Sequence, residues 1–393
     1  MKILWVKSDF LHPTTKGGHI RTLETLKRLH RRHEIHYVAL DLAEQAGGVD
    51  RWGEYCSKAY PIPHSAPTRG SLKFGMQVVG NLFSELPLGV SRYRSSGMRR
   101  QIETLVRGGK FDSIVCDFLF PAPNMPDLGE SVLFQHNVEA LIWKRQLDTA
   151  TSPPHQLYFR GQYQRMLRYE GQACRAAKSI IAVSEQDART MRSLYGVSRI
   201  AAVPTGVDLD YFAPASRPAP TADLVFAGSM DWMPNIDGIQ WFVDEVLPLI
   251  RKRRPDCSLV IAGRRPAQAI QRLAERDSRI HVTGTVPDIR PYLWDSAVSI
   301  VPLRIGGGTR LKIYEAMAAK IPVVSTAIGA EGLDIRNGED IHIADSPAEF
   351  ADRCLALLGD PGGRSRMADV AFSIVASRYS WEIVSRKFEE LLV

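Results

Sequence analysis

The sequence predicts an α/β protein of two doubly wound parallel-sheet domains, and three observations carry the prediction. Short apolar runs of strand length alternate with segments whose apolar residues recur at helical spacing, over most of the 393 residues. The alternation comes in two blocks on either side of 216–221 (SRPAPT), which has the composition of a linker. Each block also carries a glycine-rich turn between a strand and a helix, the edge at which doubly wound sheets take ligands.

In the first block, 2–7 (KILWVK) is an apolar run suited to a buried strand. Pro13 and the pair Gly17-Gly18 mark a loop, after which Ile20, Leu23, Leu26 and Leu29 recur at helical spacing. Residues 34–40 give a second strand and 57–60 a short third, with helices over 72–83 and 96–107. Strand signals return at 113–116 and 132–135. The latter ends in QHNVEA, which places His136 and Asn137 at a strand's carboxyl end and opens a helix at Glu139. Residues 179–183 form another strand, and Ser184 ahead of Glu185 and Asp187 is an N-cap with an acidic first turn. Residues 200–203 lead into the turn-rich PTGVDLDYF.

The second block has strands at 224–227, 258–262, 280–282, 298–301 and 321–325, a long helix over 236–253, and another helix opening near Arg310. Two or three helices close the chain. The last, 381–392, lines Val384, Phe388, Leu391 and Leu392 along one face, enough to dock on a neighbouring surface.

Apolar residues make up 45% and charged residues 24% of the chain, the proportions of a globular protein. Cys56, Cys116, Cys174, Cys257 and Cys354 are odd in number and lack metal-type spacing, so they read as reduced thiols of a cytosolic protein. The first apolar run ends at Lys7, too short for a signal peptide, and no run reaches the length of a membrane span. A cytoplasmic protein is expected, with only peripheral contact with a membrane. Positive charge is concentrated in the first half: 28 Lys+Arg against 20 Asp+Glu up to Pro214, then 22 against 23. Much of the excess lies in 91–100 (SRYRSSGMRR) and 160–178 (RGQYQRMLRYEGQACRAAK). Such clusters suit an anionic membrane surface or an anionic acceptor, and also solvated helix faces. Nucleic acid is not expected as a partner, because zinc spacings and RNP-type signatures are absent.

Residues 301–326 (VPLRIGGGTRLKIYEAMAAKIPVVST) carry the clearest chemistry. A helix that starts just after Gly306, Gly307 and Gly308 aims unpaired N–H groups and a partial positive charge into that loop, an arrangement made for phosphate. Arg310 and Lys312 oppose the dipole of their own helix in its first turn, a local cost that points to an anionic ligand. Glu315, further along, is placed to accept from sugar hydroxyls. The same pattern also fits an ordinary βα turn, and neither a Walker motif nor GxGxxG is present.

Taken in order, KGGHIR, QHNVEA, AVSEQD, VPTGVDLDYF, VFAGSMDW, VIAGRRP, GGGTRLKIYEAMAAKIPVVST and RYSWE make the chain resemble a family 4 (group 1) glycosyltransferase of the GT-B architecture. The resemblance covers most of the chain and is weakest between residues 57 and 110. It implies a Rossmann-like acceptor-binding domain over 1–214, a Rossmann-like nucleotide-sugar domain over 215–377 facing it across a cleft, and a helix over 378–393 returning to the first domain. It implies retaining, hexosyl-type transfer without metal or cofactor, from a UDP- or GDP-linked sugar to a glycan or lipid-linked acceptor, as in surface polysaccharide or glycoconjugate synthesis. Front-face attack, with the leaving phosphate assisting as base, is the mechanism it favours.

Carried over by position, Glu315 resembles the family's ribose-binding Glu, and Gly306, Gly307, Gly308 and Thr309 the loop beside the diphosphate and sugar. Gly17 and Gly18 match the N-domain loop that approaches the donor phosphate, and Gly228, Ser229 and Arg264 complete the donor set. His136 matches a His facing the transferred sugar and, with Arg310 and Lys312, forms the expected catalytic group. Arg21, Asp117, Asn137 and Glu139 are expected at the acceptor. Two departures stand out: Gly307 occupies the place of a first glutamate that seven residues separate from the second, and GSMDWMPNIDG lacks an Arg/Lys pair that grips the diphosphate. Arg310, Lys312 and Arg264 are expected to supply that charge. The rival readings are an NAD-dependent oxidoreductase, a sugar-nucleotide epimerase or phosphorylase on a similar frame, and a non-catalytic partner subunit.

Overall fold

All the strands pair in parallel, the arrangement forced when each crossover returns the chain to the same end of its sheet. The computed structural model describes residues 1–14, 17–42, 47–65, 67, 70–81, 84–214, 219–305 and 311–393. The first sheet has seven strands: β1 (Lys2–Val6), β2 (Glu34–Leu42), β3 (Lys58–His64), β4 (Ser113–Asp117), β5 (Ser131–Gln135), β6 (Ser179–Ala182) and β7 (Ile200–Ala202), in the order β3-β2-β1-β4-β5-β6-β7. The second has six: β8 (Ala222–Ala227), β9 (Leu259–Ala262), β10 (Ile280–Gly284), β11 (Ser296–Val301), β12 (Val323–Ser325) and β13 (His342–Ile343), in the order β10-β9-β8-β11-β12-β13. Strand order reverses between β1 and β4 and again between β8 and β11. The carboxyl ends there are the switch points at which such sheets take ligands.

The chain divides into two compact units, Met1–Pro204 with Val384–Val393, and Thr205–Ile383. The boundary expected at 214 differs from this division, because Val207 bridges to Ser380 and Phe212 packs in the second core. Residues 215–218, most of the expected linker, lie outside the described residues. Leu4, Val6, Val38, Leu40, Cys116 and Leu133 are fully buried in the first core, and Leu224, Phe226, Ile261, Val298, Ile300 and Val324 in the second. All five cysteines are buried free thiols. Among the described residues, no helix is long and apolar enough to cross a membrane.

Local chemistry moves some elements away from expectation. β3 runs to His64, through Pro61 and Pro63, where a short strand ending at residue 60 was expected. Prolines are tolerated there because β3 is an edge strand, so alternate N–H groups face away from β2. The long helix expected over 236–253 is interrupted. Met233–Trp241 and Leu247–Arg253 are joined by a π-type turn over Phe242–Val246, since Pro248 has no N–H for the carbonyl four residues back. Ser184 caps its helix as expected, accepting from the Asp187 N–H at 3.0 Å.

The last helix, Trp381–Glu390, starts in the second unit, and its residues from Val384 belong to the first. Phe388 lies 5.5 Å from the Trp5 ring and 4.8 Å, edge-on, from Phe134. Glu389 accepts from Arg32 at 2.5 Å and His33 at 2.7 Å, on the chain just after the helix Gly17–Leu29. The C-terminal segment is thus part of the first core rather than an appendage. Replacing Phe388 by Ala should cost about 3–5 kcal/mol of the first unit's stability, measured by urea denaturation with Trp5 fluorescence as the probe.

Candidate functional site

In the first unit the site residues gather around one carboxylate. Asp117 ends β4 and is completely buried. Its Oδ1 accepts from Lys7 Nζ at 2.8 Å and His136 Nε2 at 2.6 Å, and its Oδ2 from Trp5 Nε1 at 2.9 Å and Thr22 Oγ1 at 2.7 Å. Four donors fill the acceptor capacity of a carboxylate. The Asp117 carboxyl is held far below the usual range, because the Lys7 ammonium and these donors outweigh the burial that opposes its ionisation.

Arg21 donates from Nη1 to His136 Nδ1 at 3.0 Å. A guanidinium can only donate, so Nδ1 is the acceptor and the imidazole proton sits on Nε2, pointing to Asp117. Burial, reinforced by the nearby Lys7 and Arg21 charges, brings the His136 pKa down to about 4, so the ring is neutral at physiological pH. Burial also lowers the Arg21 pKa to about 10, against the pull of Asp117 and Asp187.

All four acceptor positions of Asp117 and both ring nitrogens of His136 are thus engaged by protein groups. Phe118 follows Asp117 with φ at 81°, a strained value for a side chain of this size, and its ring packs edge-on to His136 at 5.3 Å. Gly18 fits because a Cβ there would come within 3.3 Å of His136 Nδ1, whereas Gly17 at the helix start faces open space.

Asn137 is half-buried at the same edge. Glu139 opens the helix Glu139–Thr149 beside the wholly buried Glu170, and burial with that neighbouring carboxylate pushes its pKa up to about 7. Glu170 accepts from the backbone N–H groups of Glu139 at 3.0 Å and Ala140 at 2.8 Å, and from Tyr195 Oη at 2.8 Å, so it caps that helix from a distance. Sequence reasoning missed Lys7 and Glu170. Glu170 is the one acidic residue of the helix Pro153–Ala176, and that isolation was the available signal.

In the second unit the expected donor residues also converge. Gly228 follows β8 and Gly263 follows β9, and a Cβ on Gly263 would overlap the Gly228 carbonyl oxygen at 1.7 Å, so only glycine lets the two turns touch. Arg264 Nε donates to Ser229 Oγ at 2.9 Å, which donates to Asp231 at 2.6 Å. Asn235, which the sequence did not single out, bridges the site, with Nδ2 donating to the Ser229 carbonyl at 2.7 Å and Oδ1 accepting from Lys312 Nζ at 2.8 Å. The Lys312 ammonium sits 4.2 Å over the Phe226 ring, and a Cβ on Gly228 would lie 2.9 Å from it.

Glu315 lies one turn beyond Lys312 on the helix Leu311–Ala318. Burial raises its carboxyl pKa to about 7, with Lys312 pulling the other way. Gly306, Gly307, Gly308, Thr309 and Arg310 lie outside the described residues. Among the described residues no group of three or more His, Cys, Asp or Glu side chains is placed to hold a metal ion. The unit thus presents the cations Arg264 and Lys312, two glycine turns and a carboxylate at the carboxyl ends of β8, β9 and β11, the parts needed to hold a diphosphate beside a polyhydroxyl group.

Comparison with known proteins gives the same answer for both units. A family model described as "Glycosyltransferase Family 4" matches residues 15–211, and one described as "Glycosyl transferases group 1" matches residues 221–360. A Klebsiella pneumoniae protein, "Uncharacterized 44.6 kDa protein in cps region", is 22% identical over 412 residues, spanning 99% of each chain. Sucrose-phosphate synthase from Thermosynechococcus elongatus superposes with a TM-score of 0.70 at 16% identity, covering 100% of this chain and 98% of that one. Anabaena HepE in complex with UDP and glucose gives a TM-score of 0.65 at 16% identity, over 100% and 99% of the two chains. At such identity the superpositions establish the fold, which is GT-B.

The Asp117 cluster predicts a measurable cost. Asp117→Asn strips Lys7 of its buried counter-charge and should destabilise the first unit by about 3–5 kcal/mol in urea denaturation. A depressed carboxyl pKa stabilises the fold above the unfolded value of about 3.9 and loses that contribution as pH falls below it. The wild-type chain should therefore lose stability more steeply than Asp117→Asn as pH falls below about 4.

Proposed function

We infer that this chain, which belongs to the family 4 (group 1) glycosyltransferases, moves a hexosyl group from a nucleoside-diphosphate sugar to a glycan or lipid-linked acceptor, with retention of anomeric configuration and without a metal. The second unit binds the donor, and the convergence of Lys312, Arg264, Asn235 and the two glycine turns around Gly228 carries that reading. These cations stand where the sequence lacks the expected Arg/Lys pair after β8. Cleavage of a glycosyl phosphate develops negative charge on the leaving diphosphate, and preorganised ammonium, guanidinium and backbone N–H groups lower that barrier. Glu315, ionised, accepts from the ribose hydroxyls.

Acceptor binding falls to the first unit, at the edge where Arg21, Asn137 and Glu139 lie. Glu139 is the contact best suited to an acceptor hydroxyl there, since its carboxyl titrates near neutrality and the helix start holds it in place. The complex of HepE with UDP and glucose supports a UDP-linked donor, and the capsule-region name of the Klebsiella relative supports surface polysaccharide synthesis on the cytoplasmic side.

The test is a thermal-shift panel of UDP, GDP, ADP, their sugar conjugates and NADH against the purified chain. One nucleoside diphosphate should raise the melting temperature by mass action, and NADH should not. Stabilisation by NADH alone would overturn the assignment. Lys312→Ala should weaken the binding of that nucleotide about 10- to 100-fold, the worth of a charge-assisted hydrogen bond to phosphate.

Glu315 adds a pH signature. Its raised pKa makes the ligand-free fold lose stability as pH rises from about 4.3 towards about 7. A hydroxyl-bearing ligand favours the ionised form, so sugar-nucleotide affinity should strengthen as pH rises through about 7. Calorimetric titration of UDP-glucose at several pH values should show that trend in the wild type and a flatter one in Glu315→Gln.

A further inference from the structure

The segment after β8 that lacks an arginine or lysine, 228–235 (GSMDWMPN), carries instead a tryptophan and a methionine that stay in solvent. Trp232 is 41% and Met233 62% exposed. Of the seven tryptophans, Trp5, Trp241 and Trp381 are buried, and none of the others is as open as Trp232. Exposed apolar side chains are ordinary where they are scattered, and informative where they adjoin a binding edge.

Trp232 belongs to the donor edge through its backbone. Its N–H donates to the Ser229 carbonyl at 3.4 Å. That same oxygen takes the Asn235 side-chain amide at 2.7 Å, and Asn235 in turn accepts from Lys312 at 2.8 Å. The Trp232 carbonyl accepts from the N–H groups of Asn235 at 2.9 Å and Ile236 at 3.2 Å, at the start of the helix Met233–Trp241. Pro234 restricts the backbone of Met233 as well. A large aromatic ring is thus mounted on a turn fixed from both sides, and its side chain is left uncovered. Ordering such a ring against a ligand costs little, because a tryptophan has only two side-chain torsions.

An indole presents a flat face of partial negative charge. A pyranose ring carries its hydroxyls around the rim and presents C–H groups of partial positive charge on its faces, so the two surfaces match in shape and in sign. The polarisable thioether of Met233 extends the apolar contact. In a nucleoside-diphosphate sugar the pyranose is joined directly to the phosphate distal to the nucleoside. A diphosphate held by Lys312 and Arg264 therefore brings that ring to the turn from which Trp232 projects.

We propose that the exposed indole of Trp232, with Met233 beside it, is the platform on which the hexosyl ring of the donor stacks. The inference rests on the donor reading of this unit and adds to it a residue that acts on the sugar alone.

The experiment is calorimetric titration of the full-length chain, and of Trp232→Ala and Trp232→Phe, with UDP, UDP-glucose, GDP, GDP-mannose, ADP and ADP-glucose. For the nucleotide that binds, Trp232→Ala should weaken the sugar conjugate by about 3- to 10-fold, the worth of an aromatic contact, and leave the bare diphosphate within about twofold. Trp232→Phe keeps a ring and should keep most of the conjugate's affinity. The melting temperature without ligand should be unchanged, since the side chain is exposed. Equal weakening of diphosphate and conjugate would overturn the proposal, because the ring would then stack on the base or only shape the turn. Unchanged affinity for the conjugate would overturn it too. A wild type that binds none of these ligands would instead overturn the donor reading itself, and the proposal with it.

Discussion

A single buried carboxylate fixes the ligand edge of the first unit. Asp117 collects donors from three separate parts of the chain: Trp5 and Lys7 at the end of β1, Thr22 on the helix that follows, and His136 beyond β5. A charge buried this deeply persists only if it is fully paired and hydrogen-bonded. The four donors must therefore stay where they are, and with them the turn that carries Gly17 and Gly18. Arg21 extends the same network by one bond, through the His136 ring, so the orientation of a buried guanidinium is linked to a carboxylate it does not touch directly. The strained backbone at Phe118 belongs to the same construction, since it turns the chain sharply after Asp117 and seats an aromatic ring against the imidazole.

The second unit solves the matching problem with less charge burial. Its two turns are in van der Waals contact through Gly228 and Gly263, and side chains reach the site from outside that contact, Arg264 from one turn and Lys312 from a helix later in the chain. Asn235 is the joint between them, because its amide presents a donor to the Ser229 carbonyl and an acceptor to the Lys312 ammonium at once. Cationic character at this edge can thus come from a helix distant in sequence, which accounts for a strand-end loop that contains neither an arginine nor a lysine.

The fold was readable from periodicity, because buried parallel strands and amphipathic helices leave patterns that depend only on neighbours along the chain. β3 was read too short because Pro61 and Pro63 signal a break in isolation and only the strand's place at the sheet edge makes them harmless. The site was readable as a set of positions and less so as a set of roles. His136, Arg21 and Asp117 were all singled out, and they are in one network. That Asp117 and His136 are saturated by protein partners depends on Lys7, Trp5 and Thr22, and no local pattern ties those residues to a strand a hundred positions later. Glu170 and Asn235 were missed for the same reason, since capping a remote helix or joining two turns has no signature in the sequence near the residue itself.

The helix Trp381–Glu390 gives the chain an unusual order of completion. Phe388 packs on Trp5 and Phe134, and Glu389 joins Arg32 and His33, so the first sheet's core includes residues synthesised after the whole of the second unit. At a translation rate of about 5–20 residues per second, the interval between Pro204 and Val384 lasts on the order of ten to forty seconds. Through that time the nascent first unit presents Trp5 and Phe134 without their cover, on the ribosome and within reach of chaperones.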